Sequence, residues 1–292
     1  MKALFNNYSS EVSLPEIVGK EVRSMAAEIS GFIRNGKNAR IFCYPELPGS
    51  RTTIYKIARD LGLALTNKPG RGCKATVYFE NTTLRKGFDA VGLQDLTLRV
   101  LNRYSLDIGK HKVDADFLAV FGYGTEVDPR MYNGAAVEKS LENARHDGRI
   151  VQCPMENPDS ACIYQLVIDN RCGANEVCDF RVPIIGDEIP LVYKKFKHED
   201  RRFTNEVHRS ELHSPSELLS EEEQNQILHF AKRSQLDFGE LDVLRHIPDG
   251  RIFIVDVNNT PYGPPAGLSP DEKKAAVRLL SDCFRRKFLS QE

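Results

Sequence analysis

Three oxygen-bearing side chains in the last fifth of the sequence are spaced for metal chemistry. Asp242 sits in the run Leu241-Asp242-Val243, and the later run Ile254-Val255-Asp256-Val257-Asn258 carries Asp256 and Asn258 two positions apart. The turn Pro248-Asp249-Gly250 joins the runs, so the pattern predicts a hairpin that sets Asp242 beside the other pair. Side chains alternate along a strand, which puts Asp256 and Asn258 on one face. Two carboxylates and an amide oxygen form an all-oxygen set of the kind Mg²⁺ prefers, completed by water and phosphate. The plain alternative is a solvated hairpin with ordinary turn acids. Against it, a charge inside an apolar strand is costly unless a metal or another cation offsets it.

Alternating segments must position that trio. Strands are expected at 135–139, 149–153, 161–168, 177–185, 189–196, 241–245 and 252–257. The turn Gly186-Asp187-Glu188 makes the 177–185 and 189–196 strands an antiparallel pair. Ser220-Glu221-Glu222-Glu223 opens a helix to about 234, and Ser269-Pro270-Asp271-Glu272 opens a last one to 288. The polar stretch 197–220 reads as a long surface loop. Toward the amino end, helical periodicity runs over 15–34. A strand at 41–45 follows, then a helix capped by Ser50 and reaching 61, and strands at 63–66 and 75–79. Strand, helix, strand and strand read as a small parallel α/β unit. Its loop at 45–50 lacks the glycine and lysine pattern of a P-loop, and a plain connection is the simpler reading. Further helical stretches are expected at 96–101 and near 112–121. The fold class is thus α/β (α+β), with an N-terminal parallel subdomain at 1–92 and an antiparallel-sheet region at 93–292.

The order and spacing of Asp242, Asp256 and Asn258 resemble the ATP-grasp superfamily, the fold of D-alanine–D-alanine ligase and glutathione synthetase. That resemblance covers about 102–259 and implies an ATP-grasp fold, with 93–292 as its nucleotide-binding region and ATP and Mg²⁺ as cofactors. It implies that Asp242, Asp256 and Asn258 hold the metal. It also implies that Lys139, at the end of Ala135-Ala136-Val137-Glu138-Lys139, contacts ATP phosphate beneath a loop containing His146 and Gly148. A second phosphate lysine precedes the short helix in relatives; Lys110 and Lys112 both fit, with Lys112 preferred. The segment Tyr164-Gln165-Leu166-Val167-Ile168 resembles the adenine-receiving strand, with Gln165, Leu166 and Val167 at the base. Asp179-Phe180-Arg181-Val182 and Lys194-Lys195 resemble the strands that carry phosphate- and ribose-binding side chains. Arg181, Arg202 and Asn205 are candidates for contacting phosphate or the second substrate.

Without the resemblance, Lys139 is a solvated strand-end charge, 164–168 is a core strand, and the arginines are surface polar residues. Three departures stand out. Asp256 replaces the commoner Glu, the phosphate loop is poor in glycine, and Glu240 stands where D-alanine–D-alanine ligase has an Arg.

The implied reaction joins a carboxylate to an amine or other nucleophile through an acylphosphate, at the expense of Mg-ATP. The competing readings are a kinase-like phosphotransferase on the same fold and a nucleotide-binding module without catalysis. Expected partners are a small-molecule carboxylate and a nucleophilic acceptor, whose identity the sequence does not give.

Composition narrows the field further. Among 292 residues, 40 Lys and Arg oppose 41 Asp and Glu, for a net charge of −1, which removes the usual argument for nucleic acid or an anionic membrane. No apolar run approaches a bilayer span, and the first eight residues turn polar too early for a signal-peptide core. Seven cysteines without a C-x-x-C pair read as reduced thiols in a cytoplasmic protein. Cys172 and Cys178 lie closest but lack two further zinc ligands at recognisable spacing. The final helix has enough apolar surface to pack on a second copy in a homo-oligomer.

Overall fold

A computed structural model describes residues 39–88, 99–141, 147–204 and 206–289, which fold around three β-sheets. The helix expected at 15–34 lies outside the described residues, as do His146 and Asn205.

The first sheet is built from β1 (Arg40–Pro45), β2 (Ala64–Thr66), β3 (Cys73–Phe79) and β4 (Val100–Leu101), in the order β2-β1-β3-β4. Every pairing in it is parallel. Helix α1 (Thr53–Leu61) makes the crossover from β1 to β2. Its cap is Thr52 rather than Ser50: the Thr52 hydroxyl accepts the Tyr55 N–H, and Gly62 closes the other end at φ +68°. Val100 and Leu101, expected to be helical, form the edge strand β4. Asn102 follows at φ +58°, a left-handed turn that Asn tolerates better than most residues. Its buried amide donates to the Phe238 carbonyl at 2.6 Å and accepts the Asp237 and Phe238 N–H groups at 2.9 Å each. The turn therefore ties the parallel sheet to the start of a later strand.

Next come α2 (Lys110–Phe121) and a three-stranded antiparallel sheet of β5 (Gly134–Ser140), β6 (Arg149–Cys153) and β7 (Cys162–Leu166), in the order β6-β5-β7. The third sheet contains β8 (Arg171–Gly173), β9 (Glu176–Ile185), β10 (Val192–His198), β11 (Arg209–His213), β12 (Phe238–Arg245) and β13 (Ile252–Asn258). Its order is β11-β10-β9-β12-β13, with β8 paired to β9. The segment 197–220 is therefore not all loop. It contains β11, which pairs antiparallel with β10, and a helical turn at Pro215–Leu218. The strand Arg-Ser-Glu-Leu-His carries a single large apolar residue, too little for periodicity to reveal it. Helix α3 (Glu221–Arg233) starts with the reciprocal Ser220–Glu223 capping box, and α4 (Pro270–Phe284) with the same device from Ser269 and Glu272.

One face of the third sheet buries Phe180, Val182, Leu241, Val243, Ile254 and Val257 against Val113 and Phe117 of α2 and Ile227 and Phe230 of α3. Each such side chain contributes about 1.5–3 kcal/mol by leaving water. A second core joins Ile41, Cys43 and Val77 of the parallel sheet to Ile54 and Ile57 of α1, Ala276, Leu280 and Phe284 of α4, and Ile185, Tyr193 and Phe238 of the third sheet. With their apolar faces buried this way, the third sheet's strands leave a polar face toward β5 to β7. Among the described residues, no helix is long and apolar enough to cross a membrane.

Candidate functional site

Register assembles the polar face. Asp242 stands directly opposite Asp256 in the β12–β13 ladder and opposite Arg181 in the β12–β9 ladder, while Glu240 faces Asn258. Directly opposed residues in an antiparallel pair share a sheet face, so the three metal candidates converge, with Glu240 beside them. A β-bulge between Asp242 and Val243 leaves Val255 as an extra residue just before Asp256, a local device that re-aims neighbouring side chains. On the other side, Asp179 of β9 pairs with Lys195 of β10.

The cations on this face are already engaged. Arg181 grips Asp242 with both arms, Nε to Oδ1 at 3.1 Å and Nη2 to Oδ2 at 3.3 Å. Lys195, almost fully buried, donates to the same Oδ1 at 2.9 Å. Burial alone would push Asp242 up, but Arg181 and Lys195 outweigh it and hold the carboxyl well below its ordinary value. Asp256 behaves oppositely: burial and the facing Asp242 raise it to about 6, against the pull of Lys110, Lys139 and Arg181. Glu240 rises to about 7, chiefly through burial, opposed by Arg181 and pushed further by Asp242. Asp179 is held by the Asn170 amide at 2.9 Å and by Lys197 at 3.1 Å.

The opposing wall comes from β5, β7 and the start of α2. Lys139 donates to Gln165 Oε1 at 3.1 Å, and Gln165 donates to the Thr125 hydroxyl at 2.7 Å. Burial lowers Lys139 and Lys110, and for both the strongest opposing charge is Asp256. Lysines of one wall therefore reach the carboxylate of the other across the cleft. The cleft brings Lys110, Lys139, Arg181, Lys195 and Lys197 together with Asp179, Glu240, Asp242 and Asp256. Such a balance suits a polyanion.

Not every expected residue faces the cleft. Lys112 is exposed and pairs with Asp116 one turn along its own helix, so the choice between the two lysines falls on Lys110. Helical geometry explains this: Lys110 opens α2 beside the cleft, and Lys112 is rotated about half a turn away. Arg202 is engaged beside Asp179, its strongest favourable charge, donating to the Ile168 carbonyl at 2.8 Å and to Asn170 at 3.0 Å. It fastens the segment after β7 rather than offering a free guanidinium. The Leu166 N–H is taken by the Thr125 carbonyl at 2.8 Å, and Val167 is half-buried just beyond the strand. Gly148 rests on Phe203: a Cβ there would lie 2.9 Å from the ring, so the loop approaches this closely only without a side chain.

Lys195 enters the resemblance together with Lys194, whereas Lys197 falls in the expected loop; both alternate along β10 with the buried Val192 and Phe196. Asn170 carried no signal; its role comes from tertiary contacts with Asp179, Arg202 and the Cys178 carbonyl.

The donor set fits a hard divalent cation. Among the described residues no three His, Cys, Asp or Glu side chains group to hold a metal ion, as expected when the set is two carboxylates and an amide. Asp256 is the under-neutralised member of the trio, and Asn258 adds an amide oxygen that, among the described residues, accepts only the nearby Thr260 N–H and hydroxyl. Asp242 belongs to the set by position, but its oxygens are shared with Arg181 and Lys195.

No protein-family model matches the sequence, and no curated protein matches it. Solved structures are similar in fold. The ATP-grasp ligase PsnB, complexed with a phosphomimetic variant of its minimal precursor, Mg and ADP, superposes with a TM-score of 0.53 at 14% identity. That match covers 85% of this chain and 98% of PsnB. The macrocyclase MdnC from Microcystis aeruginosa MRC, bound with precursor peptide MdnA, gives 0.50 at 11% identity, over 87% of this chain and all of the other. The chain adopts the ATP-grasp fold.

Proposed function

We propose that the chain is an Mg-ATP-dependent ligase that activates a carboxylate and joins it to a nucleophile. The observation that carries this reading is the position of Asp256, facing Asp242 across one ladder and within electrostatic reach of Lys110 and Lys139 on the opposite wall. Carboxylate and amide oxygens on one wall and ammonium groups on the other are what a metal–triphosphate needs on its two sides. Asp256 and Asn258, with Asp242, would hold Mg²⁺, which supplies charge neutralisation and positioning of phosphate oxygens when bound. Lys110, Lys139 and Lys195 would bind phosphate as point charges, exchanging carboxylate partners for phosphate ones. Arg181, fixed by Asp242, would orient the reacting groups. Gln165 keeps Lys139 aimed into the cleft, and Gly148 brings the loop after β5 close to Phe203 so that water can be excluded.

Carboxylate activation is favoured over a purely binding role because the carboxyl ends of the parallel strands adjoin the metal candidates. Thr260 donates from its N–H to Asn258 and from its hydroxyl to Asn81, just past the carboxyl end of β3. The chain leaves β1 toward β2 on one side and leaves β3 toward β4 on the other, and such switch points open a crevice at the strands' carboxyl ends. The reading admits a peptide substrate, of the kind suggested by the precursor complexes of PsnB and MdnC, as readily as a free small molecule. The test is ADP release with Mg-ATP and carboxylate and nucleophile mixtures. Asp256→Ala and Asn258→Ala should each abolish it; full turnover in both would refute the metal assignment.

A further inference from the structure

Cys172 and Cys178 are brought together by the hairpin that opens the third sheet. β8 pairs antiparallel with β9, Arg171 opposite Val177, and a bulge makes Cys172 an extra residue before Gly173 faces Glu176. The Cys178 N–H donates to the Asn170 carbonyl at 3.0 Å, so Asn170 stands across from Cys178. Cys172, two residues further along, is the diagonal neighbour of Cys178, and the two thiols share a hydrogen bond. Of the seven cysteines only Cys172 is exposed, and Cys178 is half-buried. Cys43 and Cys73 also feel one another, but they pack into different cores. Among the described residues, no third His, Cys, Asp or Glu joins Cys172 and Cys178 to hold a metal ion. Two thiols alone suit covalent sulfur chemistry.

The pair is asymmetric. Burial raises both thiols, Cys178 as far as about 12. Lys194 and Arg209 pull Cys172 back toward the thiolate against Glu176, and Lys194 acts on Cys178 in the same sense against Asp179. Cys172, exposed, is therefore the sulfur that meets a disulfide from solution, and Cys178 is the one that follows. The hairpin between them is already formed, so closing the ring costs little chain entropy.

Closure would be felt in the cleft. The Asn170 amide donates to the Cys178 carbonyl at 3.0 Å and to Asp179 at 2.9 Å, and its oxygen accepts from Arg202 at 3.0 Å. A disulfide holds its sulfurs about 2.05 Å apart, much closer than two hydrogen-bonded thiols, so closure draws the bulge toward β9. Asn170 is the adjoining rung and takes the first displacement.

We infer that Cys172 and Cys178 are an oxidative modification site, closed to an intrachain disulfide by a small disulfide of the glutathione type, and that closure loosens the hold of Asn170 on Asp179. The first half stands on the hairpin alone; the effect on nucleotide rests on the reading above, in which Asp179 belongs to the ATP cleft. The Cys172 thiolate attacks one sulfur of the small disulfide, whose S–S bond breaks and whose leaving thiolate takes the proton that Cys172 gave up. Cys178, losing its proton, then attacks the Cys172 sulfur of the mixed disulfide and expels the second small thiol. Two protein thiols are oxidised, and one small disulfide is reduced to two thiols.

The full chain as wild type, Cys172→Ser and Cys178→Ala is incubated with glutathione disulfide or dithiothreitol, and its thiols are mapped by peptide mass spectrometry. Wild type should form the Cys172–Cys178 crosslink, reversed by dithiothreitol. Cys178→Ala should stop at the mixed disulfide on Cys172, and Cys172→Ser should leave Cys178 reduced. Hydrogen exchange over 168–180 should quicken in oxidised wild type. Calorimetric titration with Mg-AMPPNP should show oxidised wild type binding about tenfold more weakly than reduced, the loss of one hydrogen bond to a charged group, with Cys172→Ser insensitive. The inference is overturned if no crosslink forms, if the mixed disulfide persists in wild type, or if the oxidised and reduced forms exchange alike or bind Mg-AMPPNP alike. If reduced wild type binds no AMPPNP, the nucleotide reading fails instead, and the crosslink map with exchange over 168–180 still decides the site.

Discussion

Asp242 and Asp256 face each other across the β12–β13 ladder, yet the two flanks of that ladder treat the same side chain in opposite ways. On the β9 flank, Arg181 and Lys195 close around Asp242 and keep it ionised. On the outer flank, Lys110, Lys139 and Arg181 pull Asp256 down, but burial and the facing Asp242 outweigh them and raise it to about 6. Paired carboxyl groups whose environments drive them apart mark a division of labour. One carboxylate organises the protein's own cations; in the proposed reading the other takes its cation from outside.

The largest effect should come from breaking the satisfied flank. Asp242→Ala strands Arg181 and Lys195 in a mostly buried setting, and an uncompensated buried charge costs about 3–5 kcal/mol. Urea denaturation should show that loss; a change below about 1 kcal/mol would mean solvent screens the pair. Asp256→Asn should do the reverse in ligand-free protein. Its raised carboxyl binds the proton more tightly folded than unfolded, so its favourable contribution is full below the ordinary value of 3.8 and is lost as pH rises through about 6. At pH 8 the substitution should stabilise by on the order of 1–2 kcal/mol, and the pH dependence between about 4 and 6 should shrink. Destabilisation there would show that Asp256 is already paid for by its lysines.

The outer flank is sharpened by two lysines on one helix. Lys110→Met should weaken Mg-AMPPNP binding about tenfold or more, while Lys112→Met should stay within about twofold, both read by calorimetric titration. Equal losses would mean that α2 reorients when nucleotide binds. The smallest effect belongs to the loop. Gly148→Ala crowds Phe203 and should weaken nucleotide binding by about 1 kcal/mol, with Phe203→Ala restoring part of it in the double variant.

Much of this was readable before any coordinates, for reasons particular to each segment. The hairpin that carries Asp242, Asp256 and Asn258 announces itself through alternation and a Pro-Asp-Gly turn, both local properties. The capping boxes at Ser220 and Ser269 are equally local and mark both helix starts. What escaped depends on contacts distant in sequence. Strand β4 is two residues long and exists because β3 offers an edge. Strand β11 is polar and is held by β10. Arg202 looked like a phosphate ligand by type, but its partners are the Ile168 carbonyl and Asn170, more than 30 residues away. The preference between Lys110 and Lys112 turned on helix phase relative to Asp256, which spacing alone does not fix.

The most direct test of the central claim is calorimetric titration of AMPPNP into wild type and Asp256→Asn, each with and without Mg²⁺. Binding to wild type should require Mg²⁺, and Asp256→Asn should lose the Mg²⁺-dependent part while remaining folded. Equal binding in all four experiments would contradict an Asp256-held metal in the cleft.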